Sequence, residues 1–244
     1  MASAHALELS SVTAGYGKVE VLHDLSLSVP AGSVVALIGP NGAGKTTTLR
    51  ALAGTLPVWR GSISLAGQRI DGLRPVDRAR RGLTLIPEGR GIFPGLSVRD
   101  NLDLSVRADR SARESVRRAR LDDVLETFPR LRERLDQRAG TLSGGEQQML
   151  ALSRALLADP KVLLMDELSM GLAPKIVEQL FETVGALKAR GLTILLVEQY
   201  LTYALRYADI CYVLSKGRVS FVGEPAELRD SDELSSSYLG ASAG

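Results

Sequence analysis

The sequence predicts an α/β fold: a mainly parallel sheet, an antiparallel β subdomain beside it, and a helical subdomain inserted into that core. Three observations predict it. Four short, continuous apolar runs, Val34–Ile38, Leu83–Ile86, Val162–Met165 and Thr193–Val197, are separated by helix-compatible stretches, as expected for parallel strands covered on both faces. Looser alternation over Leu7–Thr13 and Leu22–Val29, with GSISLA at Gly61–Ala66, reads as a smaller antiparallel sheet. From about Leu96 to Leu157 there is no strand pattern, only Arg- and Glu-rich stretches of helical character.

Taken in order, the two alternating segments and GSISLA build the antiparallel part, and VVALI opens the parallel core. After the helical insertion come VLLM and TILLV. Tyr203–Ala208 then reads as a helix, and YVLSKGRVSFVG as two strands joined at Ser215–Gly217. The chain is expected to form one domain, 1–244, with core segments 1–95 and 159–244 and the helical subdomain over 96–158. Arg residues in the helical part alternate with Asp109, Glu114, Asp122 and Asp123, the pattern of a solvated helix face.

Composition bounds the class. Hydrophobic residues make up 45% and charged residues 24% of 244, an ordinary globular balance. Net charge is only +2, which argues against a nucleic-acid partner. The single cysteine, Cys211, sits in an apolar run and reads as a buried thiol. No apolar run is long enough to cross a bilayer, and the N-terminal residues lack the pattern of a signal peptide. Membrane association is therefore expected through a partner.

GPNGAGKT at Gly39–Thr46 follows the strand VVALI and opens a helical segment, the context a P-loop needs. Glycines at 39, 42 and 44 let the backbone curl so that its N–H groups face phosphate oxygens, with a helix N-terminus behind them. The expected contact set is Gly39, Pro40, Asn41, Gly42, Ala43, Gly44, Lys45, Thr46 and Thr47. Lys45 would bridge the outer phosphates of ATP, and the Thr46 hydroxyl would hold Mg²⁺. The core is then a P-loop NTPase, RecA-like in kind.

Roughly 120 residues on, VLLMDE ends a buried strand with Asp166 and Glu167. Adjacent carboxylates repel unless a cation or a proton compensates one of them. Alone, such a pair is an ordinary strand end; beside a P-loop, Asp166 would face Mg²⁺ and Glu167 would activate water.

LSGGEQQ at Leu142–Gln148 precedes the helical stretch MLALSRALLA. Ser143, Gly144, Gly145 and Glu146 at that helix start would form a second phosphate cradle. One chain does not need two cradles for one phosphate, so the second is expected to close over the P-loop of another subunit in a twofold dimer.

With these motifs the chain resembles the ABC ATPase family from Leu7 to about Gly223. The resemblance implies that Tyr16 stacks on adenine, that Ser169–Leu172 is the loop communicating across the dimer, and that Glu88 meets Mg²⁺ or the attacking water. It also implies that Gln199 stands where most members have a histidine. Gln199 can hydrogen-bond a phosphate but cannot take up a proton near neutral pH. Leu168 replaces a customary proline.

PEGRGIFP, LSGGEQQML, SMGLAP, LLVEQ and SSYLG resemble the ATPase subunits of branched-chain amino acid importers. The resemblance implies permease subunits in the membrane, a solute-binding protein acting indirectly, a homodimer or a heterodimer with a sister ATPase, and a place on the cytoplasmic face of the inner membrane. Ile92, Phe93 and Pro94, beside Arg90, are expected to meet the permease. A non-transport ABC ATPase acting on nucleic acid or ribosomes is the alternative, and the chain lacks the coiled-coil or cysteine-rich modules such proteins carry.

Overall fold

The computed structural model describes residues 5–108, 112–198 and 201–229. The N-terminal strands β1 (His5–Tyr16) and β2 (Val19–Pro30) form a long hairpin, joined by β4 (Val58–Leu65) and the two-residue β5 (Gln68–Arg69) in a sheet of order β2-β1-β4-β5. All pairs in it are antiparallel. Both hairpin strands outrun the alternation visible in the sequence because irregularities such as that between Leu9 and Val12, where Ser11 has φ 51°, break the period of two. The strand expected at Gly61–Ala66 starts earlier, at Val58, and Ala66 (φ 48°) already belongs to the turn.

The second sheet has the order β10-β9-β3-β8-β7-β6. Its strands are β3 (Val34–Ile38), β6 (Leu83–Ile86), β7 (Val162–Asp166), β8 (Thr193–Val197), β9 (Ile210–Ser215) and β10 (Arg218–Gly223). All neighbours are parallel except the β9–β10 hairpin. The four apolar runs are therefore strands of one sheet, with β3, β7 and β8 buried at every position.

Helix α1 (Lys45–Ala53) follows β3 and α2 (Pro75–Arg80) precedes β6. Helices α3 (Val98–Ala108), α4 (Glu114–Thr127), α5 (Pro129–Arg132) and α6 (Gly144–Leu157) occupy the span between β6 and β7. Helices α7 (Pro174–Ala189), α8 (Leu201–Tyr207) and α9 (Pro225–Arg229) complete the described chain.

The period-two geometry of β3 sorts the core into two layers. Val34, Ala36 and Ile38 face a cluster with α3–α7, including Leu102, Leu131, Leu150 and Phe181, whereas Val35 and Leu37 face α1 and the antiparallel sheet. The helical region thus packs on one face of the parallel sheet and the antiparallel sheet on the other. Outside, Arg120–Asp159 at 2.6 Å and Arg190–Asp123 at 2.8 Å link α4 to the core. The sole cysteine is fully buried on β9, and burial pushes its thiol up to about 11. No described helix is long and apolar enough to cross a membrane.

Candidate nucleotide site

Parallel β3, β6, β7 and β8 end on the same edge of the sheet, and the loops that leave them carry the residues singled out above. Open α/β sheets place ligands at such an edge. Leaving β3, the chain passes so close to β9 that a Cβ at Gly39 would lie 2.3 Å from the Leu214 carbonyl oxygen. Gly44, at φ 109°, then delivers the chain into α1. The loop is pinned from outside by Gly217, whose N–H donates to Ala43 O at 2.9 Å.

Lys45 is 5% exposed, and its Nζ donates to Gly39 O at 2.8 Å and Pro40 O at 3.2 Å. Glu167 Oε1 stands 4.0 Å away. Burial pulls the ammonium below its ordinary range, while Glu167 and Asp166 pull it back.

At the other end of α1, Gly54 takes the left-handed cap and the buried Arg78 closes over it. Arg78 donates to Ala51 O (2.6 Å), Leu52 O (2.7 Å), Asp71 O (2.7 Å) and Leu73 O (3.1 Å). A guanidinium there satisfies carbonyls the helix leaves open and complements its dipole.

Asp166 ends β7 at 4% exposure, and its Oδ1 accepts a hydrogen bond from Thr46 Oγ1 at 3.3 Å. Burial pushes its carboxyl up to about 6, with Glu167 and Glu88 adding to the shift and Thr46 and Lys45 opposing it. A carboxylate held this way among other carboxylates fits a hard cation, and the hydroxyl and carboxylate donors are the oxygen ligands Mg²⁺ prefers. Among the described residues there is no group of three or more His, Cys, Asp or Glu side chains able to hold a metal by themselves. Glu167 follows with φ 47°, its N–H bound to Val197 O at 2.9 Å. Leu168, 1% exposed, belongs to the core, which accounts for an apolar residue there.

Glu88 is exposed two residues beyond β6. The loop after it is fastened to α6 at two points: Arg90 (φ 73°) donates to Gln147 Oε1, and Arg154 donates to Gly91 O. The Arg154 guanidinium also lies 4.6 Å from the ring centre of Phe93, which is 45% exposed.

Ser143 is exposed and caps α6 in a reciprocal box: its Oγ accepts from Glu146 N at 3.3 Å, and its N–H donates to Glu146 Oε2 at 2.9 Å. Arg134 Nε lies 2.9 Å from Glu146 Oε1. Gly145 is crowded, since a Cβ there would meet Ile176 at 2.4 Å. Tyr16 is exposed at the end of β1, and its hydroxyl accepts from Arg50 Nη1 at 3.1 Å. Gln199 lies outside the described residues.

The folded chain thus gathers Gly39–Thr47, Asp166 and Glu167 at one sheet edge. It places Ser143–Glu146 separately at the head of α6.

A family model described as ABC transporter matches residues 22–169. This chain belongs to the ABC transporter family. The cassette is 44% identical over 235 residues to the high-affinity branched-chain amino acid transport ATP-binding protein BraG of Pseudomonas aeruginosa, covering 96% of this chain and 99% of that one. It is 38% identical to a probable branched-chain amino acid transport ATP-binding protein, LivF, of Archaeoglobus fulgidus, covering 96% and 98%. Among solved structures it superposes on an ATP-binding subunit of an ABC transporter with TM-score 0.82 and 34% identity, covering 97% of each chain. The ADP conformation of MJ1267, an ATP-binding cassette of an ABC transporter, gives TM-score 0.84 at 26% identity, covering 97% and 99%. The cassette is an ATPase subunit of a transporter, and it binds nucleotide.

Two residues, Glu198 and Arg78, were given no role by the sequence reading. Ser169, in the loop Ser169–Leu172 expected to communicate across a dimer, is 1% exposed and turned inward onto Glu198, itself 1% exposed. Arg78 lies on α2, outside every motif the sequence marks. Neither role follows from a short-spaced motif: Glu198 meets Ser169 from 29 residues away, and Arg78 reaches Ala51 and Leu52, 27 and 26 residues away, as well as the nearer Asp71 and Leu73.

Proposed function

We propose that this cassette hydrolyses MgATP to drive import of branched-chain amino acids through permease subunits at the cytoplasmic face of the membrane, paired head to tail with itself or a sister ATPase. The observation that carries the proposal is the convergence of Lys45, Thr46, Asp166 and Glu167 on one sheet edge. The kinship to the branched-chain proteins BraG and LivF supports the solute class.

In the mechanism we propose, the Gly39–Thr47 amides and Lys45 hold the phosphates, and Tyr16 stacks on the base. To reach the phosphates, Lys45 exchanges its present carbonyl acceptors for charged oxygens, which form stronger hydrogen bonds. Thr46, Asp166 and Glu88 would hold Mg²⁺, whose role when bound is to neutralise charge on the phosphate oxygens. Glu167 accepts a proton as water attacks the γ-phosphorus and the bond to the ADP oxygen breaks. Gln199 offers a hydrogen bond to the γ-phosphate, and Ser143, Gly144 and Gly145 of the mate close the other side. Solute-binding protein and solute act only through the permease.

Replacement of two residues tests the assignment. Lys45→Ala should lose ATP binding or turnover. Glu167→Gln should bind ATP, lose on the order of 10² to 10⁴ in kcat, and accumulate a nucleotide-dependent dimer in light scattering. Full turnover in either variant would remove its role.

A further inference from the structure

Glu167 holds its reactive carboxylate on a backbone at φ 47°, a left-handed conformation that side chains with a Cβ rarely adopt. Such a residue keeps that geometry only where its surroundings over-determine it. Two stitches to the end of β8 do so. The Glu167 N–H donates to Val197 O at 2.9 Å. Two residues on, the Ser169 N–H donates to Glu198 Oε1 at 3.2 Å, and the Ser169 hydroxyl donates to Glu198 Oε2.

Glu198 and Ser169 are both 1% exposed. A carboxylate so buried is costly unless hydrogen-bonded, so a loop leaving β8 would take two hydrogen bonds from it. The mechanism above gives Glu198 no task, and its place directly after β8 does not by itself call for an acid. With Ser169 turned inward, Met170 and Gly171 form the exposed part of the loop, so the same grip also fixes what the loop presents outward.

We propose that Glu198 is a positioning residue for hydrolysis: its carboxylate grips Ser169 through two hydrogen bonds and thereby fixes the backbone from which Glu167 reaches the attacking water. The inference rests on Glu167 being the proton acceptor. Because Glu198 acts through Ser169, its loss is expected to act on the chemical step and to leave nucleotide binding intact.

The test is steady-state ATPase kinetics on the full chain, with thermal melts alongside. Glu198→Ala is expected to lower kcat on the order of tenfold to a hundredfold, with KM for ATP changed by less than about twofold. Glu198→Gln keeps an acceptor for the Ser169 N–H and a donor for its hydroxyl, and is expected to restore most of that loss. Ser169→Ala removes only a hydroxyl; it should lower kcat at constant KM, and it decides the matter if Glu198→Ala does not fold. Added to Glu167→Gln, Glu198→Ala should cost nothing further, because both act through one carboxylate.

The inference is overturned if KM rises in step with the loss of kcat, if Glu198→Gln is as deficient as Glu198→Ala, or if the two losses multiply. Wild-type kinetics in both Glu198→Ala and Ser169→Ala, beside a slow Glu167→Gln, also overturns it and leaves the base assignment standing. Wild-type turnover in Glu167→Gln removes that assignment itself.

Discussion

Helices α1 and α6 both begin on a glycine-rich motif, yet their N-termini are in opposite states. At α1 the cap is Gly44, no side chain caps the helix, and the first turn carries no acid. At α6, Ser143 and Glu146 satisfy each other's backbone amides and place a carboxylate in the first turn. A helix N-terminus carries roughly half a positive charge, so α1 stands open to an anion while α6 already has one of its own. The difference teaches that glycine content alone does not make a phosphate cradle ready. Such a division suits a nucleotide first bound at α1 of one subunit and only afterwards met by α6 of its mate.

If α1 is the standing receptor, it needs a fixed far end, and the largest expected effect probes that. Arg78→Ala removes the guanidinium donor from the carbonyls of Leu52, Asp71 and Leu73, and leaves that of Ala51 with only the Gly54 N–H. We expect a loss of about 3–5 kcal/mol in chemical denaturation. Arg78→Lys should recover little, since one ammonium cannot reproduce the planar fork. A loss below about 1 kcal/mol would mean that the end of α1 is held by its Gly54 cap alone, and the contrast with α6 would shrink to the N-termini.

Asp166 sharpens the contrast electrostatically. Its folded pKa, raised to about 6 chiefly by burial, lies above the unfolded value. Holding its proton therefore stabilises the nucleotide-free fold below the unfolded pKa, and this contribution fades as pH rises through about 6. Asp166→Asn should consequently melt higher than wild type at neutral pH, by roughly 2–4 °C. The gap should close toward acid, while turnover is lost. Mg²⁺ competes with that proton, so Mg²⁺-dependent nucleotide binding should weaken below about pH 6. Parallel melting curves for the two proteins between acid and neutral pH would contradict the assigned shift.

Much of this was legible in the chain itself, for identifiable reasons. VVALI and TILLV declare themselves because strands buried on both faces must be apolar throughout. Gly39–Thr46, Asp166 and Ser143–Glu146 could be singled out because they stand in motifs of particular residues at short, fixed spacings. Arg78 and Glu198 were not, because a buried charge looks like a solvated one until its distant partners are known. The inward turn of Ser169 was hidden for the same reason, since its partner Glu198 lies 29 residues on. The extent of β1 and β2 was hidden by irregularities at residues such as Ser11, where the alternation slips.

The smallest expected effect bears most directly on the comparison. Glu146 serves the α6 cap with its carboxylate, and that carboxylate also pairs with Arg134 at 2.9 Å. Burial raises its pKa, but the Ser143 hydrogen bonds and the charges of Arg134 and Arg130 outweigh this and leave it lowered, so it is anionic at neutral pH. Glutamine preserves the capping box while removing the charge that an arriving phosphate must oppose. Glu146→Gln, placed in a slowly hydrolysing Glu167→Gln chain, should therefore strengthen ATP-driven dimerisation by about twofold to fivefold, the equivalent of some 0.3–1 kcal/mol at a helix end. The measurement is the ATP concentration at half-maximal dimer in light scattering. A weaker dimer would mean that the Glu146 charge itself contributes to the closed interface, and that α6 needs its acid where α1 must be free of one.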